Sequence, residues 1–63
     1  MKIFDVGDLV YIPSEVTIFN DADTFKLPSP VSLLITGKTS GHYEVFFENK
    51  IWRVRLNSVY ESG

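Results

Sequence analysis

The sequence predicts an all-β fold: a single five-stranded barrel with a long folded first loop and a short helical turn before the last strand. Three observations predict it. Short runs of Val, Ile, Leu, Phe, Tyr and Trp are separated by Gly, Pro, Asn and Asp, which supply turn geometries. No window places apolar residues at i, i+3, i+4 and i+7 between helix caps. The chain has 63 residues, one domain at the low end of what folds unaided. A small all-β chain avoids open sheet edges best by curling on itself.

The elements follow in order. Asp8 to Ile12 forms the first strand, entered from the turn-capable Gly7 and ended by Pro13, which cannot donate to a ladder. Between Pro13 and Pro30, Val16–Phe19 and Thr24–Leu27 flank Asn20-Asp21-Ala22-Asp23, so the long loop folds back as an irregular hairpin. Val31 to Thr36 forms the next strand, with a turn or bulge over Gly37–Gly41. From His42 to Glu48, Tyr43, Val45 and Phe47 share one face, with Glu44, Phe46 and Glu48 on the other. Asn49-Lys50 closes a tight hairpin, and Ile51 to Leu56 sets Trp52, Val54 and Leu56 against Ile51, Arg53 and Arg55. Asn57-Ser58 breaks the run before a short last strand, Val59–Glu61. The expected core is Val6, Leu9, Val10, Leu33, Ile35, Val45, Phe47, Val54, Leu56 and Val59, with Phe46 exposed and Trp52 half-buried.

Composition narrows the function. Hydrophobic residues make up 44% of the chain and aromatics 14%, which fits a packed domain rather than a disordered tail. The lack of cysteine removes disulfides, and a lone histidine does not make a structural zinc site. No apolar run suits a signal peptide or membrane span, so the expectation is a soluble cytoplasmic protein. The net charge of −2 and pI near 5.1 argue against a surface built to neutralise phosphates. Acids nevertheless concentrate in the first third, whereas Lys38, Lys50, Arg53 and Arg55 lie in the second half.

The opening Val6-Gly7-Asp8-Leu9-Val10-Tyr11 and the closing Trp52-Arg53-Val54-Arg55-Leu56-Asn57-Ser58-Val59 resemble Src-homology-3-like barrels, the superfold that includes Tudor and KOW modules. Many such barrels open on a Gly-Asp strand and close on a tryptophan strand leading into a helical turn. The resemblance covers most of the chain as architecture. It does not extend to the Ala-Leu-Tyr-Asp-Tyr signature or paired tryptophans of proline-peptide binders, nor to the Gly-rich KOW motif. The stretch Gly7-Asp8-Leu9-Val10-Tyr11-Ile12-Pro13-Ser14 is also similar to small proteins coded by tailed phages, which implies a host-cell cytoplasmic setting.

The residues favour binding over catalysis. His42 and Ser40 have no arranged third group, and no cofactor is expected. Asp21-Ala22-Asp23 begins like a calcium loop, but Lys26 and Ser32 occupy the places of its glycine and bidentate glutamate. Arg53 and Arg55, interleaved with Phe46 and Trp52, have the pattern that tracks a phosphate backbone. Glu44 and Glu48 on the neighbouring strand are expected to pair with them instead. The candidate binding residues are therefore Tyr11, Phe46, Trp52, Arg53, Arg55 and Tyr60. A protein partner ranks first, then a nucleic acid, then a further copy of the chain in a homo-oligomer.

Overall fold

The computed structural model describes residues 3–62. Seven strands follow in order: β1 (Leu9–Ile12), β2 (Thr17–Phe19), β3 (Thr24–Lys26), β4 (Val31–Lys38), β5 (His42–Phe47), β6 (Lys50–Arg55) and β7 (Tyr60–Glu61). A 3-10 turn at Leu56–Ser58 separates β6 from β7. The fold is all-β and antiparallel, and no helix among the described residues is long and apolar enough to cross a membrane.

The strands hydrogen-bond in the order β3-β2-β6-β5-β4-β1-β7. The ladder thus has seven strands rather than the expected five, because the loop hairpin is itself β-structured and extends the sheet through Phe19 opposite Arg53. Its end strands, β3 and β7, do not pair with each other, so the ladder is not closed.

The long strand β4 organises the sheet. Its first half, Val31 to Leu34, pairs with β1 from Ile12 to Leu9. Its second half pairs with β5, through Ile35 opposite Val45 and Lys38 opposite Tyr43. The register shifts between Ile35 and Gly37, just ahead of the Gly37–Gly41 segment expected to turn or bulge, and β4 runs on to Lys38 rather than ending at Thr36. A Cβ on Gly37 would collide with the Glu44 carboxylate, so the missing side chain gives that carboxylate its place.

The hairpin turn at β5–β6 falls one residue earlier than expected. Phe47 pairs with Lys50, and Glu48 and Asn49 are the central residues, with φ of 53° and 63°. Two consecutive positive φ values match the right-handed twist of the flanking strands. Asn tolerates them readily, and Glu48 is drawn in by its neighbours. The Asn20–Asp23 turn forms as expected. Asn20 Oδ1 accepts from the amides of Ala22 (2.9 Å) and Asp23 (2.8 Å), and the Asn20 amide donates to the Asp23 carbonyl (2.9 Å).

The core comprises Phe4, Val10, Ile12, Ile18, Leu27, Ile35, Tyr43, Val45, Trp52, Val54 and Val59, with Leu33, Phe47 and Leu56 packed against it. Two expected members are excluded. Val6 lies in the turn that Gly7 makes at φ 97°, and Leu9 points away from Val10, since neighbours on a strand face opposite sides. Ile18 and Leu27, fully buried, show that the hairpin covers the open side of the sheet. Tyr43 accepts the Phe4 amide through its hydroxyl at 3.0 Å, which ties the N-terminal segment down.

Candidate protein-interaction face

The inward rows of the sheet fill the core, so the outward rows define the surface. On β1 these are Leu9 and Tyr11, and their partners across the ladders are Leu34 on β4 and Tyr60 on β7. On β5 and β6 they include Phe46, directly opposite Ile51. Leu34 lies one step past the Ile35–Val45 pair, as Phe46 does on β5, so the pairs Leu9–Leu34 and Phe46–Ile51 sit on either side of the point where β4 passes from one neighbour to the other. All four side chains are between 45% and 53% exposed, far more than single surface leucines need be. Tyr11 (38%) and Tyr60 (54%) extend this band at the β1–β7 end. Exposed apolar side chains grouped on adjoining strands are the pattern expected of a contact site, which makes this band the candidate.

The sequence candidates separate into three groups. Tyr11, Tyr60 and Phe46 belong to the band. Trp52 does not: it is 5% exposed, its Nε1 donates to the Phe47 carbonyl at 2.9 Å, and its ring lies 6.3 Å from that of Phe25. It points inward beside Val54 because the β6 alternation reserves the outer side for Ile51, Arg53 and Arg55, so its expected half-burial becomes full burial. The band residues that sequence reasoning missed are Leu9, Leu34 and Ile51. Strict alternation around Val10 and Ile12 would have found Leu9.

The arginines take the third place. Arg53 Nη1 lies 3.0 Å from Asp21 Oδ1, and its Nε lies 4.0 Å from Glu44 Oε2. The pairing expected with Glu44 is present, and Glu48 instead occupies the hairpin turn. Lys50 pairs with Asp23 at 3.6 Å, Lys38 with Asp5 at 3.3 Å and Lys26 with Glu15 at 3.5 Å. Arg55 makes no ion pair among the described residues. It stands opposite His42 and borders a cleft of about 420 Å³ with Glu15, Thr17, Phe19 and Ser58. The His42 imidazole packs edge-on against Phe19, with ring centroids 5.0 Å apart, and makes no hydrogen bond among the described residues.

Asp21 and Asp23, the acids of the calcium-loop-like stretch, are thus committed to cations of β6. No protein-family model matches the chain, and neither the curated proteins nor the solved structures give a significant match.

Proposed function

We propose that this chain is a non-catalytic protein-interaction module, an elaborated Src-homology-3-like barrel that docks through the outer band of Leu9, Leu34, Phe46 and Ile51. The observation that carries the reading is this band of exposed apolar side chains on adjoining strands. Three features support the barrel assignment: β4 shared between two ladders, a hairpin in the first loop, and a 3-10 turn before the last strand. In the tailed-phage setting that the opening residues suggest, such a module is an accessory protein. The alternative of a nucleic-acid surface is weakened by the ion pairing of Arg53 and by the acidic balance.

The test is site-specific photo-crosslinking in the expressing cell. A benzoyl-phenylalanine at Phe46 should join the chain to a protein, whereas the same group at Thr24 on β3 should not. Equal yields at both positions, or none at Phe46, would remove the band as a docking face.

A further inference from the structure

We infer that the cleft beside Arg55 binds the phosphate group of a small organic monoester. The site lies apart from the band of Leu9, Leu34, Phe46 and Ile51, and the inference does not rest on the reading of that band.

The cleft arises where two strands part. β2 and β6 share one pair, Phe19 opposite Arg53, and the ladder between them stops there. The next residues on the same outward side are Thr17 on β2 and Arg55 on β6. Both line the cleft, together with Ser58 of the 3-10 turn. Its volume of about 420 Å³ falls within the roughly 300–1,000 Å³ of small-molecule sites.

Charge selects the ligand. Lys26, Lys38, Lys50 and Arg53 each have an acidic partner, whereas Arg55 has none among the described residues. Glu15 also lines the cleft, but its carboxylate lies 3.5 Å from Lys26 Nζ, so that pair is neutral and Arg55 sets the sign.

A solvated arginine by itself is ordinary, and the neighbours of Arg55 set it apart. Thr17 and Ser58 bring hydroxyls that hydrogen-bond to nothing among the described residues. His42 stands directly opposite Arg55 on β5, and its imidazole nitrogens are equally uncommitted among those residues. Phe19 holds that imidazole edge-on, with ring centroids 5.0 Å apart. A guanidinium fork, two hydroxyls and an imidazole N–H outnumber the two oxygens of a carboxylate and suit the three of a phosphate.

The surroundings favour one phosphate over a chain of them. A nucleic-acid backbone requires a row of free cations, and the neighbouring Arg53 is already held by Asp21 at 3.0 Å. The Phe19 ring lines the same cleft, so a monoester carrying a ring gains a contact that inorganic phosphate lacks.

The experiment is titration of the full chain with phenyl phosphate, inorganic phosphate and benzoate at fixed ionic strength, followed by proton–nitrogen correlation NMR. Ordinary ligand efficiency for so small a molecule gives phenyl phosphate a dissociation constant of about 1–10 mM. The shifts should concentrate at the Arg55 Nε–H and at the amides of Thr17 and Ser58. Inorganic phosphate should bind several-fold more weakly for want of the Phe19 contact, and benzoate for want of the third oxygen. Arg55→Gln should weaken phenyl phosphate by at least about tenfold and Ser58→Ala by several-fold. Lys38→Gln, which removes a cation elsewhere, should leave the affinity unchanged.

No saturating shift by about 50 mM overturns the site. So do shifts at Lys26, Lys38 and Lys50 as large as those at Arg55, or an affinity indifferent to Arg55→Gln. Benzoate equal to phenyl phosphate overturns phosphate as the ligand, and inorganic phosphate equal to it overturns the ring-bearing body. A thymidine oligonucleotide that binds more tightly than phenyl phosphate overturns the single-phosphate reading.

Discussion

Trp52 decides between a tryptophan that serves the surface and one that serves the core. Removing it as Trp52→Ala deletes a ring that is 5% exposed and a hydrogen bond of 2.9 Å to the Phe47 carbonyl. A buried Trp→Ala change costs about 3–5 kcal/mol. A domain of this size holds only about 3–5 kcal/mol in total. The expected outcome is a chain largely unfolded in buffer at room temperature. Trp52→Phe keeps a ring against Phe25 but loses the hydrogen bond, worth about 0.5–1.5 kcal/mol, together with part of the packing. It should remain folded, with a melting temperature lower by about 4–8 °C for each kcal/mol lost. The assay is urea unfolding followed by far-ultraviolet circular dichroism, because the substitution removes the fluorophore. Protein concentration is kept low so that self-association adds nothing. A Trp52→Ala chain that stays folded with a loss below about 1 kcal/mol would refute the reasoning and return Trp52 to the surface.

Three further outcomes are expected. Asn20→Ala removes the acceptor of two turn amides and should cost about 1 kcal/mol, with faster amide exchange at Ala22 and Asp23; unchanged exchange would mean the turn does not need it. Glu15 holds φ at 72° and gains only an exposed pair with Lys26, so Glu15→Gly should raise stability by about 1 kcal/mol, and a lower melting temperature would contradict that strain. Tyr43→Phe removes the hydroxyl that accepts from the Phe4 amide and should cost about 1 kcal/mol, with faster exchange of that amide as the direct readout.

The sequence disclosed the fold class because its strands obey a period of two wherever they are long enough to count. The β5 run shows this: Tyr43 and Val45 are buried and Phe46 is exposed, as their alternation requires. Shorter segments carry too few residues for that test. β2 and β3 have three residues each, so nothing local indicated that Ile18, within β2, and Leu27, just past β3, would be fully buried. The 3-10 turn at Leu56–Ser58 was legible from Asn57-Ser58, whereas the exact hairpin turn was not, because Glu48 accepts a positive φ under the constraint of the strands on either side. The candidate face was half legible. Phe46 could be assigned from alternation and Tyr11 and Tyr60 only as aromatic candidates, but the band itself depends on which strands lie side by side. Leu34 joins Leu9 to Phe46 only because β4 changes partners partway along its length.

The charge pattern acquires its meaning from the same topology. Acids in the first third and bases in the second half could describe a molecule with one acidic and one basic face. The fold instead brings the two sets together: Asp21 to Arg53, Asp23 to Lys50 and Asp5 to Lys38. Two of these pairs hold the hairpin tip to β6 beside the Phe19–Arg53 contact, so the charge separation along the chain serves to position the first loop. Exposed pairs contribute little individually, at most about 1 kcal/mol, and their joint effect is orientation more than stability. Once folding has used these charges, the apolar band and Arg55, which has no ion pair among the described residues, stand among the surface features that folding does not explain, and both lie on the outward side of the strands. Leucine, phenylalanine and isoleucine at those outward positions do nothing for the core, and polar residues there would leave the register unchanged. On the proposed reading, a partner surface that covers them accounts for their presence.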